Sequence, residues 1–324
     1  MEEMNDDQHE IDPVKKLNRD LKKAALTLTA TEARFLVDSY YTMQRDRIRA
    51  DHQQRQLAKN DEPHAILEWL SENTSTLERN VKSALAVYSK HHPVGRWAQS
   101  ITGIGPVISA GLLAHIDMEP FRCVRVRKDS GFYDAKAKPC NHKEPHGPEC
   151  HRSPLATCGQ VWRFAGLDPT VQWKEGQKRP WNGNLKRLCW IIGEMFTRQQ
   201  AKESDVYGKL YAARKVQEEA KNANHDFEDQ AKTALATKNW KRDTQTKAAY
   251  EQGLLPQGRI HLRAQRWAVK LFLSHYHEAA FFHHFGTLPP KPYVIEHLGH
   301  AHYIQPPNMH LIAGWAEARA KAGI

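Results

Sequence analysis

Residues 97–116 read Trp-Ala-Gln-Ser-Ile-Thr-Gly-Ile-Gly-Pro-Val-Ile-Ser-Ala-Gly-Leu-Leu-Ala-His-Ile, and this stretch decides the fold class. Its first residues have the pattern of a helix end. Thr102-Gly103-Ile104-Gly105 is a tight turn. Pro106 opens a second, apolar helix, because its fixed φ and missing N–H suit the first helical position. The two glycines permit φ > 0 and a close approach of backbone. Helix, Gly-Ile-Gly-Pro turn, helix is a helix-hairpin-helix pattern. Such a turn presents free N–H groups at a helix N-terminus, a ready site for a phosphate that carries no base identity. Thr102, Gly103, Ile104, Gly105 and Val107 are the candidate contacts. The competing reading is a glycine corner between two core helices.

Outward from the hairpin, the composition supports a polyanionic partner. The chain has 324 residues and a formal net charge of +10, with 26% charged residues. Basic balance argues partners and solubility, not fold. Mean hydropathy is −0.71. No run of about 18 apolar residues predicts a membrane span. The acidic start (Glu2, Glu3, Asp6, Asp7) lacks a secretory pattern, so a cytoplasmic protein is expected, nucleoid-associated if it binds DNA.

Residues 1–28 read as an acidic, partly disordered tail. Residues 29–92 read as an antiparallel helical pair. A Thr29…Glu32 capping box starts the first helix, which ends near Leu57, with Phe35, Leu36, Tyr40, Met43 and Ile48 as its expected buried stripe. The second helix, about 64–88, carries Leu67, Leu70, Leu77, Val81, Leu85 and Tyr88. The hairpin unit spans 93–196.

Within it, 118–158 changes character. Four of the five cysteines fall here, with several histidines, in a polar, Pro- and Gly-rich segment. This pattern predicts structural zinc, which would supply the folding energy that the loop's own core lacks. The ligand set stays open. Cys123, Cys140, Cys150 and Cys158 make a four-thiolate site; Cys140 and Cys150 with His142, His146 or His151 make a mixed one. The alternative is a flexible basic loop with free thiols.

Residues 159–196 predict a short helix closed at Ala165-Gly166, a turn at Asp168-Pro169, a basic loop, and a helix started by Asn182 with Leu185, Leu188, Ile192 and Phe196 buried. Lys174, Lys178, Arg179, Lys186 and Arg187 alternate with Trp173 and Trp181. Cations interleaved with indoles suit a nucleic-acid surface; indoles that pack the loop onto the core are the other reading.

Residues 197–286 are long, charged and helical. Tyr207, Leu210, Tyr211 and Val216 form a thin stripe, expected either as a dimerising coiled-coil arm or as a solvated pair. The last helix, 258–285, is expected to bury Ile260, Trp267, Leu271 and Phe281. His277, Glu278 and His284 are a weaker metal candidate. Residues 287–324 are a His/Pro-rich segment, read most simply as a packed tail. The expected fold is mainly α: a helix-hairpin-helix core, an irregular Cys/His insertion and long C-terminal helices.

Three segments in order, Gly103-Ile-Gly-Pro106, then Gly166-Leu167 with Pro169, then Asn182 with Leu185 and Lys186, resemble the C-terminal domain of the bridge-RNA-guided insertion-sequence transposases. The match covers a quarter to a third of the chain. The resemblance implies a DNA partner, with RNA as the alternative. Two departures accompany it. The family's nucleophilic serine falls near Lys178, where the sequence is Gln177-Lys-Arg-Pro-Trp-Asn182. The N-terminal hundred residues read as helical where the family has an RNase-H-like domain. The expected function is therefore nucleic-acid binding without catalysis. An active recombinase and a helical assembly protein are the alternatives.

Overall fold

The computed structural model describes residues 17–60, 65–116, 118, 123–125, 150–152, 155, 157–171, 173–290 and 303–323. In order the elements are α1 (Arg19–Ala24), α2 (Ala30–Leu57), α3 (Ala65–His91), α4 (Pro93–Gln99), α5 (Pro106–His115), β1 (Cys123–Arg125), β2 (Cys150–Arg152), α6 (Cys158–Phe164), α7 (Gly183–Gln199), α8 (Tyr207–Ala223), α9 (Glu228–Thr237), α10 (Gln245–Glu251), α11 (Gln257–Phe285) and α12 (Trp315–Lys321). The protein is mainly helical, as expected. The two short strands pair antiparallel, with Cys123 opposite Arg152 and Arg125 opposite Cys150.

The helix starts follow local chemistry. Thr29 and Glu32 close a capping box on α2, and Thr157 and Gln160 close another on α6. The Asn182 side chain caps α7 through the Leu185 N–H. Gly286, at φ 69°, ends α11 in the left-handed region. Residues 19–27, placed in the acidic tail by composition, are helical, and Ala25 is buried. Residues 1–16 lie outside the described residues.

α11 is the axis of the core. Trp97 of α4 stacks on Phe272 at 6.1 Å. Phe196 of α7 stacks on Tyr207 of α8 at 4.9 Å, and both turn edges to Phe272. Aromatic pairs of this kind contribute about 0.5–1.5 kcal/mol each beyond area burial. The stripe that α11 buries is Ala264, Ala268, Phe272, Tyr276 and Ala279 with Ile260. Trp267, Leu271 and Phe281, expected on the buried face, are half-buried instead. Helices pack on α11 from several sides, so its apolar arc is wide and its phase follows its neighbours.

The stripe on α2 also differs from expectation. Ala33, Val37 and Tyr40 are buried, while Phe35 is 70% and Ile48 44% exposed. Only the start of α2 and the end of α3 pack on α5, through Val37, Tyr40, Leu85, Val107 and Ala110. Farther out, Arg47 of α2 pairs with Glu78 of α3 at 2.6 Å.

The N-terminal part of the thin stripe on α8, Tyr207 and Tyr211, is buried inside the chain, while Val216 is 65% exposed. Tyr207 donates to or accepts from His275 of α11 at 2.7 Å. Glu218, 2% exposed, lies between Arg214 and Arg263 of α11. The tail packs as well: Met309, Ile312 and Trp315 enter the core, and Trp97 Nε1 donates to the Pro307 carbonyl at 2.8 Å. Among the described residues no helix is long and apolar enough to cross a membrane.

Candidate nucleic-acid interface

The Gly-Ile-Gly-Pro turn is present, and its two glycines differ. Gly103 has φ 91°, and a Cβ there would stand 3.3 Å from Met195 Cβ of α7. Gly105, the N-cap of α5, has φ −85° and ψ 176°. That is extended backbone open to any residue, and a Cβ at Gly105 meets nothing within 4 Å. Of the two glycines that permit positive φ, Gly103 alone uses it and makes the turn, and Gly105 leaves the start of α5 uncovered. Thr102 Oγ1 is hydrogen-bonded to Ser204 at 3.1 Å, and Ile104 and Val107 are buried. Three of the candidate phosphate contacts thus brace the turn with their side chains, which leaves backbone N–H groups of the α5 N-terminus for a ligand.

The cations of the basic loop and of the start of α7 stand at the other end of α5 from this turn. Asn182, at the start of α7, meets His115, at the end of α5, at 3.3 Å; Gly103, before α5, meets the end of α7. The two helices are antiparallel. Ten residues of α5 separate the two places by about 15 Å at the helical rise of 1.5 Å per residue.

At that far end a cation–indole face is built from four elements. Gly166, at φ 67°, follows α6; a Cβ there would stand 2.8 Å from Trp181 Cγ and 3.0 Å from Lys186 Cδ. Only glycine lets Trp181 lie down on this turn, and Asn182 N–H donates to the Phe164 carbonyl to hold it. Lys186 Nζ sits 4.0 Å from the Trp181 ring centre. Trp173 meets Trp181 edge-on at 6.3 Å, and Arg179 lies over Trp173 at 5.4 Å. On one flank Arg187 covers Tyr41 of α2 at 5.4 Å. On the other, Lys270 of α11 covers Trp162 at 4.1 Å, and Trp162 Nε1 donates to the Lys270 carbonyl. Trp181 packs the loop down and in doing so carries a cation.

The electrostatics of this face are unbalanced. Burial, then Arg266 and Arg179, push the Lys186 ammonium below its ordinary pKa. Burial, then Arg259 and Arg263, do the same to Arg266. Lys270 is lowered by burial and only partly compensated by Asp168. Among the described residues none of Arg179, Lys186, Arg187, Arg266 and Lys270 forms an ion pair with a carboxylate. Asp168 is engaged instead in its own turn, accepting from Thr170 N–H at 2.9 Å and Thr170 Oγ1 at 2.7 Å. Lys174 and Lys178 lie in the exposed loop that frames the face.

Arg266, Lys270 and Trp162 were not among the sequence candidates for this face. On α11 Arg259, Arg263, Arg266 and Lys270 lie at helical spacing, and only the packing of the other helices sets what each of them meets. The row divides: Arg263 serves Glu218, while Arg266 and Lys270 serve the face.

The metal candidates are scattered. Cys140, His142 and His146 lie outside the described residues, as do His297, His300 and His302. Cys123 and Cys150 stand on paired strands, two positions apart in register. Cys158 is 5% exposed in α6, and burial raises its thiol pKa, with Ser274 as a hydrogen-bond partner. A protonated thiol in a core helix departs from the exposed loop ligand expected from spacing. His277 Nε2 donates to the Leu155 carbonyl, and Glu278 accepts from Tyr303 and Trp315, which corrects their reading as metal ligands. Among the described residues no group of three or more His, Cys, Asp or Glu is placed to hold a metal. The zinc expectation rests on the sequence of 118–158.

Comparisons of the chain with family models, with curated proteins and with solved structures find no match.

Proposed function

We propose that this protein binds nucleic acid, DNA foremost, through the cation–indole face at the start of α7, without catalysing a reaction on it. The observation that carries the reading is the cluster of Arg179, Lys186, Arg266 and Lys270, with Arg187 on its flank, none of them within ion-pair distance of a carboxylate among the described residues. The close approach of Lys186 to Arg266 and Arg179 raises the free energy of the unliganded protein, and a polyanion lowers it. The start of α7 adds to this. Gly183 and Asn184 present first-turn N–H groups, and the Arg179 guanidinium lies near Gly183. These contacts address phosphate, so the protein holds the backbone with little preference for sequence. The Gly-Ile-Gly-Pro turn, about 15 Å away, is a second phosphate contact along the same strand, four to five nucleotides on at about 3.4 Å per nucleotide.

Two of the three segments that resemble the transposase C-terminal domain, 166–169 and 182–186, build this face. That supports a role related to DNA transposition. No residue of the face is a nucleophile, and Asp168 is committed to Thr170, so no catalytic role is assigned.

Fluorescence anisotropy of the purified protein with duplex DNA, a four-way DNA junction and structured RNA, each across a salt series, tests the reading. Affinity that falls steeply with salt is expected for at least the duplex. Absence of binding to all three at the lowest salt overturns it.

A further inference from the structure

Trp190 of α7 is 57% exposed, the most exposed tryptophan among the described residues. Its indole has no ring, cation or hydrogen-bond partner there. It stands one helical turn beyond Lys186 and three residues beyond Arg187, so both cations border it on the helix surface. Trp173, 36% exposed, lies on the far side of Trp181. Trp173, Trp181, Lys186 and Trp190 thus form a ridge of three indoles and a cation, with accessible indoles at both ends.

An exposed indole among unpaired cations is a poor surface for a second apolar protein face, because docking would desolvate the cations without neutralising them. It also gains little from a duplex, whose bases show their flat faces only to each other. An unpaired strand offers both features at once: phosphates for Arg187 and Lys186, and a free base face for the indole. We infer that the Trp173–Trp190 ridge binds an unpaired nucleic-acid strand, with a base stacked on Trp190. This rests on the nucleic-acid reading above and specifies the form of ligand that the face takes. Stacking on an indole accepts every base, so the ridge holds single strands of either sugar without choosing among sequences.

The test compares the full chain with Trp190→Ala and Trp190→Phe on three labelled ligands of equal length: a homopyrimidine DNA strand, the matching RNA strand, and a DNA duplex. Trp190 faces solvent, so the variants keep the wild-type fold, checked by circular dichroism. Loss of a stacked base is worth about tenfold in single-strand affinity. Trp190→Ala is expected to lose that factor on a single strand while duplex affinity is unchanged, and Trp190→Phe to recover most of it. The DNA and RNA arms show which strand is held better. Single-strand affinity unaffected by Trp190→Ala, or an equal loss on the duplex, overturns the inference. Wild-type protein that binds the duplex but neither strand also overturns it and leaves the nucleic-acid reading standing. Failure to bind any of the three removes that reading itself.

Discussion

Removing two members of the cation cluster, Lys186→Gln with Arg266→Gln, separates binding from stability. The face holds five cations that lie outside ion-pair distance of any carboxylate among the described residues: Arg179, Lys186, Arg187, Arg266 and Lys270. If each neutralises one phosphate of a duplex, log K falls with log salt at a slope of about −4.5. Raising salt from 50 to 200 mM then weakens binding about 500-fold. With three cations left the slope is about −2.7, and the same change in salt costs about 40-fold. The sign for folding is opposite. Both side chains are held at lowered pKa by burial and by like charge, so neutral replacements relieve repulsion. The variant is expected to unfold at the same denaturant concentration as wild type or a higher one, while it binds more weakly at low salt. Anisotropy titrations at four salt concentrations and a urea melt supply both readouts. An unchanged slope refutes the placement of these cations at the ligand, and a marked fall in stability refutes the account of their repulsion.

The glycines of the turn give a second contrast. Gly103→Val forces a β-branched residue to φ 91° against Met195 and should cost about 2 kcal/mol or more in a urea melt. Gly105→Val should leave the melt near wild type; equal losses in the two variants refute the distinction. Gly166→Ala, with its Cβ 2.8 Å from Trp181 Cγ, should displace Trp181 and weaken duplex binding at low salt; wild-type affinity and indole fluorescence argue against the platform. Glu218→Ala leaves the half-buried Arg214 and Arg263 without the carboxylate they share and should cost about 1–3 kcal/mol by chemical denaturation. Finally, burial holds His92, His115, His275 and His277 down at about 4. Each binds a proton more readily when unfolded, so stability is full above about pH 6.5 and falls as pH drops toward 4. A urea midpoint that stays flat across that interval contradicts their neutral burial.

The sequence by itself determined most of the long helices and several of their ends, though not α1, which composition placed in the acidic tail, nor the division of 207–251 into α8, α9 and α10. Thr29 with Glu32, Pro106, Asn182 and the Ala165-Gly166 closure all act within four residues of chain, so they are readable without a neighbour. The buried stripe of α7, Leu185, Leu188, Ile192 and Phe196, was legible because that helix is amphipathic with one narrow apolar side. The tertiary structure decided what depends on partners. It set the phase of α2 and α11, whose apolar arcs are broad enough to face more than one way. It showed that Tyr207 and Tyr211 on α8 bury their rings within the chain. It placed the Gly-Ile-Gly-Pro turn and the basic loop at opposite ends of α5, although the sequence sets them in one unit. And it brought Arg266 and Lys270 of α11 to the indoles of 162–181. Local chemistry forms an element, but the assembly of a charged face follows from how separate helices cross, which no short stretch of chain records.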